Sequence, residues 1–329
     1  MTGAAKAAPV CIKERETYGS AAREPFGTNL TATDFASQPD YAGKLTNSHV
    51  AIERPARVLV GWLTPQEAQL HCSSRGTRTA AQEDLDRAEK ARLRVAARAQ
   101  GIDQDNAVMA PPEEFHDYLN KLRASPAAAA MFMENWCVAI ADLRKICSVQ
   151  QSVFVDHAQS RTADVDGNDL LSVAQVTLPV AAEASKIPLQ FDPARQTWIV
   201  SSANPNLRIV GNWSGELQPG IMGVGFGLTL TASFLQVARI QGRLLLRDGY
   251  HRAYGLLKRG ITKAPVFFRE FQTFDQLGLP SGLLSQAVYM GEHPPMLQDF
   301  LDEDVSAPML LPTFQKLLII AGMELAPLA

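Results

Sequence analysis

No stretch of the 329-residue sequence approaches the roughly 20 consecutive apolar residues that a membrane-spanning helix needs. The opening residues, MTGAAKAAPVCIKERE, lack the apolar centre of a secretory signal. Cysteine is scarce. Cys11, Cys72, Cys137 and Cys147 are too few to staple a chain this long, and none stands in a Cys-x-x-Cys pair. That argues against a disulfide scaffold or a zinc motif and fits reduced thiols in a cytoplasmic protein. An excess of charge of one sign is also lacking. Lys and Arg number 31 against 34 Asp and Glu, a net charge of −3, which argues against a surface given over wholly to nucleic acid. Glycine (22) and proline (20) are too sparse and scattered for a low-complexity chain, and no internal repeat is visible. The remainder, 46% hydrophobic, is the composition of a soluble intracellular globular protein with a real core. The length suits two domains or one large one.

Patterning along the chain predicts an α+β protein. Residues 1–50 are polar, small and aperiodic and read as a poorly ordered arm. A helical region is expected over 55–150. Thr64-Pro65-Gln66-Glu67 has the cap, the first-turn proline and the third-position acid of a helix start. Residues 81–100 form a charged helix with Glu83–Arg87 and Asp86–Lys90 four apart, and Arg92, Arg94 and Arg98 suit its C-terminal dipole on a solvated face. Pro111-Pro112-Glu113 opens a short helix. Ser125-Pro126 opens another, reaching about 147, with Phe132, Trp136, Ile140, Leu143 and Cys147 as its apolar stripe.

From 151 to 329 the pattern turns strand-like. Strands are predicted over 152–157 and 170–180, joined by the acidic turn 164–169. Gly167 stands fourth in that turn rather than sixth, so it is not an EF-hand calcium loop. A hairpin is expected over 187–201 around Asp192-Pro193-Ala194-Arg195. Then come a strand at 234–240, a turn at Gln241-Gly242, a strand at 243–247, a break at Asp248-Gly249, a helix at 250–259 capped by Gly260, and a strand at 264–268. More helix is expected near 280–290. Asp299, Asp302, Glu303 and Asp304 read as a solvated acidic loop, and 314–325 as strand or helix. The glycines at 220, 223, 225 and 227 lack Walker or Rossmann spacing and suit close backbone packing. His71, His116, His157 and His293 have no partner at metal-ligand spacing.

The chemistry concentrates in 242–260. An apolar strand ends at Asp248-Gly249 and a helix begins at once, so Gly249 lets a ligand approach the backbone and the first helical N–H groups point outward. Such an end attracts an anion. Arg252 offers a planar fork suited to phosphate oxygens. Cations at a helix start oppose the dipole unless an anion is near.

The segment Asp248-Gly249-Tyr250-His251-Arg252, with the strand before it, the helix after it and Ala264-Pro265-Val266 beyond, resembles the ParB/sulfiredoxin superfamily, closest to the free-serine-kinase and ParB-like branch. Asn204-Pro205-Asn206-Leu207-Arg208 and Gly215-Glu216-Leu217-Gln218-Pro219 are similar to motifs that open such domains. The resemblance spans about 199–269, so the fold it implies is a helical region followed by a ParB/sulfiredoxin-like mixed α/β domain. It implies a phosphate site on Gly249, His251 and Arg252, with Tyr250 and Arg208 as further candidates, serving a nucleoside di- or triphosphate with Mg²⁺. An NTPase or phosphotransferase with a small-molecule or protein acceptor would follow, and Asp248, His251 and Glu216 are its candidate catalytic groups. Tyr250 stands where sulfiredoxins carry their catalytic Cys, which argues against sulfinic-acid repair. His251 stands where ParB proteins carry Arg, and the 59 residues after Glu270 hold no clear helix-turn-helix. Two other readings stand beside the enzyme: a non-catalytic regulatory or partner-binding protein on a degenerate scaffold, and a DNA-binding or nuclease protein using the arginines at 87–98 and 239–259.

Overall fold

A six-stranded mixed sheet lies at the centre of an α+β fold. The computed structural model describes residues 53–72, 82–99, 101–180, 189–194, 197–202, 207–230, 232–280, 282–313 and 316–321. The arm expected over 1–50 lies outside them. In chain order the strands are β1 (Glu53–Val58), β2 (Val108–Met109), β3 (Cys137–Asp142), β4 (Cys147–Ser148), β5 (Ser152–Phe154), β6 (Leu189–Asp192), β7 (Thr197–Ser202), β8 (Leu207–Gln218), β9 (Ile221–Leu230), β10 (Gln236–Ile240), β11 (Arg243–Asp248), β12 (Lys263–Phe271), β13 (Ala307–Pro312) and β14 (Lys316–Ala321). The α-helices used below are α1 (Pro65–Cys72), α2 (Gln82–Ala96), α3 (His116–Ala124), α4 (Pro126–Met133), α5 (Val155–Thr162), α6 (Leu170–Thr177) and α7 (Tyr250–Lys258). Among the described residues no helix is long and apolar enough to cross a membrane.

The central sheet runs β2-β3-β12-β10-β11-β4. Its middle follows from local chemistry. Gln241 and Gly242 both have positive φ, +48° and +79°, so β10 and β11 join through a tight primed turn that matches strand twist. β11 stops at Gly249, whose φ is +96° and where a Cβ would lie 3.0 Å from Leu235 Cα, so glycine alone fits. The α7 helix starts there and buries Ala253, Tyr254, Leu256 and Leu257, each large apolar side chain contributing about 2 kcal/mol. Gly260, φ +79°, lets the chain turn back as β12, parallel to β10. Phe267 of β12 is fully buried, with Phe132 and Phe234 edge-on at 5.3 and 5.1 Å.

Residues 55–150 are not a helical body. They supply β2, β3 and β4 to the central sheet, and β1 sits between β13 and β5 in a second sheet. The α1 start is as expected, with Thr64 and Glu67 capping each other reciprocally at 2.8 and 3.2 Å. The α4 helix opens on Ser125 but ends at Met133. Asn135 adopts φ +62° and the chain leaves as β3, paired antiparallel with β12 from Cys137↔Phe268 to Asp142↔Lys263. Trp136, Ile140, Leu143 and Cys147 are buried, but extended chain and a 3-10 turn bury most of them. A strand covered on both faces has no alternation to reveal it.

The converse error falls on 152–180. Only Ser152–Phe154 is strand; α5 follows, and 170–177 is α6 rather than strand. The Asp169 carboxylate starts α6 by accepting from the N–H groups of Leu171 (2.9 Å) and Ser172 (3.2 Å). The acidic turn therefore joins two helices. Packing of α6 on β12 outweighs its β-branched composition. The helix expected near 280–290 is one short turn, Gln286–Tyr289. The terminal run is strand β14, paired with β7, with its remainder outside the described residues.

The acidic loop is not simply solvated either. Asp299 is buried, accepts both Nη atoms of Arg98 (3.1 and 3.0 Å) and the Met296 N–H (2.7 Å), while Asp302 adds 3.3 Å to Arg98 and Asp304 pairs with Arg94. The cationic end of α2 and the acidic loop are partners.

The α5 and α7 helices touch at Gly255, where a Cβ would fall 2.5 Å from Thr162 Oγ1 and 2.7 Å from the Ala158 carbonyl oxygen. Alanine would gain about 1 kcal/mol of helix propensity. Overpacking costs about 1–3 kcal/mol, and a backbone carbonyl cannot rotate aside. Gly255→Ala is expected to lower the urea midpoint; a raised midpoint would mean that the two helices are not in close contact.

Candidate functional site

Along α5 and α7 the contacts run in step. His157 meets His251, ring centroids 5.5 Å apart, and further on Ala158 and Thr162 meet Gly255. The two helices therefore run broadly the same way, with their N-terminal ends together. Neither Phe154 nor Gly249, the two N-cap residues, supplies a side-chain cap, and the first turn of α7 has no acidic residue. The first turn of α5 carries its own acid, Asp156, which accepts from the His157 N–H (2.8 Å). The start of α7 carries none, so an anion would suit it.

Cations converge on this end. Arg54 of β1 reaches Asp156 (3.3 Å) and contacts the His157 ring. The His251 ring lies parallel to Phe154, centroids 5.8 Å apart at 4°. Its Nε2 is buried and has no hydrogen-bond partner among the described residues. Burial pushes His251 down to about 4, helped by the charges of His157, Arg161 and Arg252 and opposed by Asp156. His157 is also lowered, by burial first and then by Arg54, with Arg161 adding to the shift and Asp156 opposing it. The corner thus holds two neutral imidazoles under the charges of Arg54, Arg161 and Arg252, with the Asp156 carboxylate already paired to Arg54.

The sequence candidates fall into distinct settings. Asp248 accepts from the Gly249 N–H (2.6 Å) and the Ser233 hydroxyl (3.3 Å). Tyr250 points inward: its hydroxyl donates to the Leu246 carbonyl and accepts from the Val149 N–H (3.2 Å), and burial raises its pKa well above that of an ordinary phenol. It locks β11 and offers nothing to a ligand. Arg252 is 4% exposed. Its Nη atoms donate to the carbonyls of Val176 (3.1 Å) and Ser233 and to Ser233 Oγ (2.7 Å), while Nε has no partner among the described residues. Burial lowers it to about 10.

Glu216 and Arg208 lie on β8, in a two-stranded sheet apart from the turn. Glu216 is near the far tip and accepts from the Gly220 N–H (3.0 Å), about 30 Å of extended strand beyond Leu207. Arg208 donates to the Leu207 carbonyl (3.0 Å). Asn204, Pro205 and Asn206 lie outside the described residues.

The fold therefore groups Asp248, Gly249, His251 and Arg252 and sets Glu216 apart. It adds Arg54, His157 and Arg161, which carry no motif. Recognising 155–162 as helix would have aligned His157 with a helix start, but nothing local points to Arg54, which arrives on a distant strand. An open cleft of about 530 Å³ lies at the opposite end of α7, bordered by Asp166, Gly167 and Lys263. Arg259 also borders it, with its guanidinium held by the carbonyls of Thr162, Ala163 (2.7 Å) and Val165 (2.6 Å). Volume and chemistry disagree here, and the unpaired Nε2 among converging cations is the stronger indicator. Among the described residues no group of three His, Cys, Asp or Glu is arranged to hold a metal ion. No protein-family model, curated protein or solved structure matches the chain.

A histidine held below its unfolded pKa stabilises the folded state at neutral pH. That contribution is complete above about 6.5 and is lost as pH falls toward about 4. His251→Gln is expected to flatten the pH dependence of unfolding free energy in that window by about 3 kcal/mol. An unchanged slope in urea melts would mean that the imidazole is open to water.

Proposed function

We propose that the protein binds a phosphate-bearing small molecule, a nucleoside di- or triphosphate, where α5 and α7 begin, on a domain of ParB/sulfiredoxin type. The observation that carries this is the buried, unpartnered Nε2 of His251 at the start of α7, with the His157 ring beside it, Arg54 in contact with that ring, and the charge of Arg161, in the last turn of α5, bearing on both imidazoles. The order β11, Asp248-Gly249, α7, β12 also agrees with the superfamily's strand, turn, helix and strand. The Gly249 backbone, His251, Arg54 and Arg161 would contact phosphate. Arg252 would hold the turn, since two carbonyls and a hydroxyl engage its Nη atoms. Mg²⁺ would enter on the phosphates, which screen poorly without it.

Catalysis is a further step. Asp248 is the carboxylate at the turn; it accepts from the Gly249 N–H and the Ser233 hydroxyl and keeps lone pairs that could accept a proton from an acceptor hydroxyl. Glu216 is remote, so Asp248 stands alone of the candidate carboxylates at the turn, which favours the rival reading of a nucleotide-gated scaffold without turnover. Several arginines of the nucleic-acid reading already have partners. Arg94 and Arg98 face the acidic loop, Arg239 pairs with Glu270 (2.8 Å), and Arg243 and Arg247 donate to backbone carbonyls.

Calorimetric titration of ATP, ADP, CTP, GTP and inorganic phosphate with Mg²⁺ tests the site. Arg161→Ala and His251→Gln are expected to weaken binding about ten-fold each, or about 1.4 kcal/mol. Arg252→Ala is a poor probe, because it strands two carbonyls and lowers stability first. Absence of binding to all five ligands, or binding indifferent to both variants, would sink the phosphate site. Binding with turnover that Asp248→Asn abolishes supports the enzyme; binding without turnover supports the scaffold.

A further inference from the structure

The β8–β9 ribbon has features unlike those of the core. Among the described residues its two strands pair only with each other, leaving both edges open. Over 207–230 the only charged residues are Arg208 and Glu216, and β9 itself has none and no proline. The register puts Met222, Val224 and Phe226 on one face, opposite Glu216, Ser214 and Asn212. On the other face Trp213 covers Gly225 and Leu217 covers Gly223. Large apolar side chains stay open to water on both faces: Val224 is 68% exposed, Met222 67%, Leu217 63%, Trp213 53%, and Ile221 and Phe226 are also exposed. An isolated two-stranded ribbon is marginal in water, and a long uncharged edge without proline is a template for another strand.

We propose that this ribbon is the surface through which two copies of the chain associate. The open edges favour protein over lipid, because unpaired N–H and C=O groups cannot enter hydrocarbon. A second copy brings matching edges and apolar faces related by a two-fold axis, and along β9 no like charges meet. The exposed part of Met222, Val224 and Phe226, which share one face, is on the order of 300 Å². At the roughly 60% apolar share of an interface this corresponds to about 500 Å² per partner, the size of a transient contact that dissociates on dilution.

Light scattering coupled to size exclusion, on the full chain at tens-of-micromolar concentration, tests this. Wild type is expected at the two-chain mass, dissociating on dilution. The double variant Met222→Lys/Val224→Lys is expected at the single-chain mass throughout. Both positions are exposed, so near-ultraviolet circular dichroism of the variant is expected to match wild type and report an intact core. A single-chain mass for wild type, a dimer that the two lysines leave intact, or single chains that co-sediment with neutral phosphatidylcholine vesicles would each overturn the proposal.

Discussion

The α7 helix can lie against α5 only because residue 255 has no side chain, and the candidate site depends on that contact. Thr162 and Ala158 press on the backbone of α7 at this point. With the helices in contact and running the same way, their starts come together, and His157 and His251 meet. The left-handed Gly249 fixes where α7 begins, and Tyr250, held between Leu246 and Val149, fixes how that start sits on the sheet. The unpaired imidazole nitrogen is a consequence of this packing: burial removes water from it and the neighbouring side chains do not replace the lost partner.

Arginine is used in two contrasting ways. Most guanidinium groups near the core serve as multi-point ligands for backbone carbonyls. Arg252 ties the end of α6 to the segment before β10, Arg259 holds the C-terminal carbonyls of α5, and Arg243 and Arg247 hold those of Tyr289, Gly291 and Leu277. These bonds satisfy orphan acceptors where helices and loops end. Arg54 and Arg161 differ, because their charge bears on two half-buried histidines. Two clusters of opposite sign, at the end of α2 and in the 299–304 loop, pair with each other, with Asp299 the buried member.

Much of the α+β pattern was legible in the chain. The turn at Gln241-Gly242, the break at Gly249, the cap at Gly260 and the Thr64–Glu67 box all act over a few residues, so their chemistry is written locally. The 137–142 strand and the 170–177 helix were not legible, because apolar or β-branched runs of that length suit either state until a neighbour is present, and the polar 155–162 helix is short and has no side-chain cap to announce it. Within the site, Asp248, Gly249, His251 and Arg252 are contiguous and carry a recognisable pattern, whereas Arg54 and Arg161 do not.

The sequence by itself determined where the chain must turn and that a cation-bearing helix start follows an apolar strand. Only the tertiary structure decided which arginines face carbonyls and which face the histidines, and that Tyr250 belongs to the core rather than to a ligand. The physical reason is range. Turn and cap preferences are settled by neighbouring backbone groups, but a guanidinium or an imidazole takes its role from whatever distant segment packs against it, as β1 does when it brings Arg54 to His157.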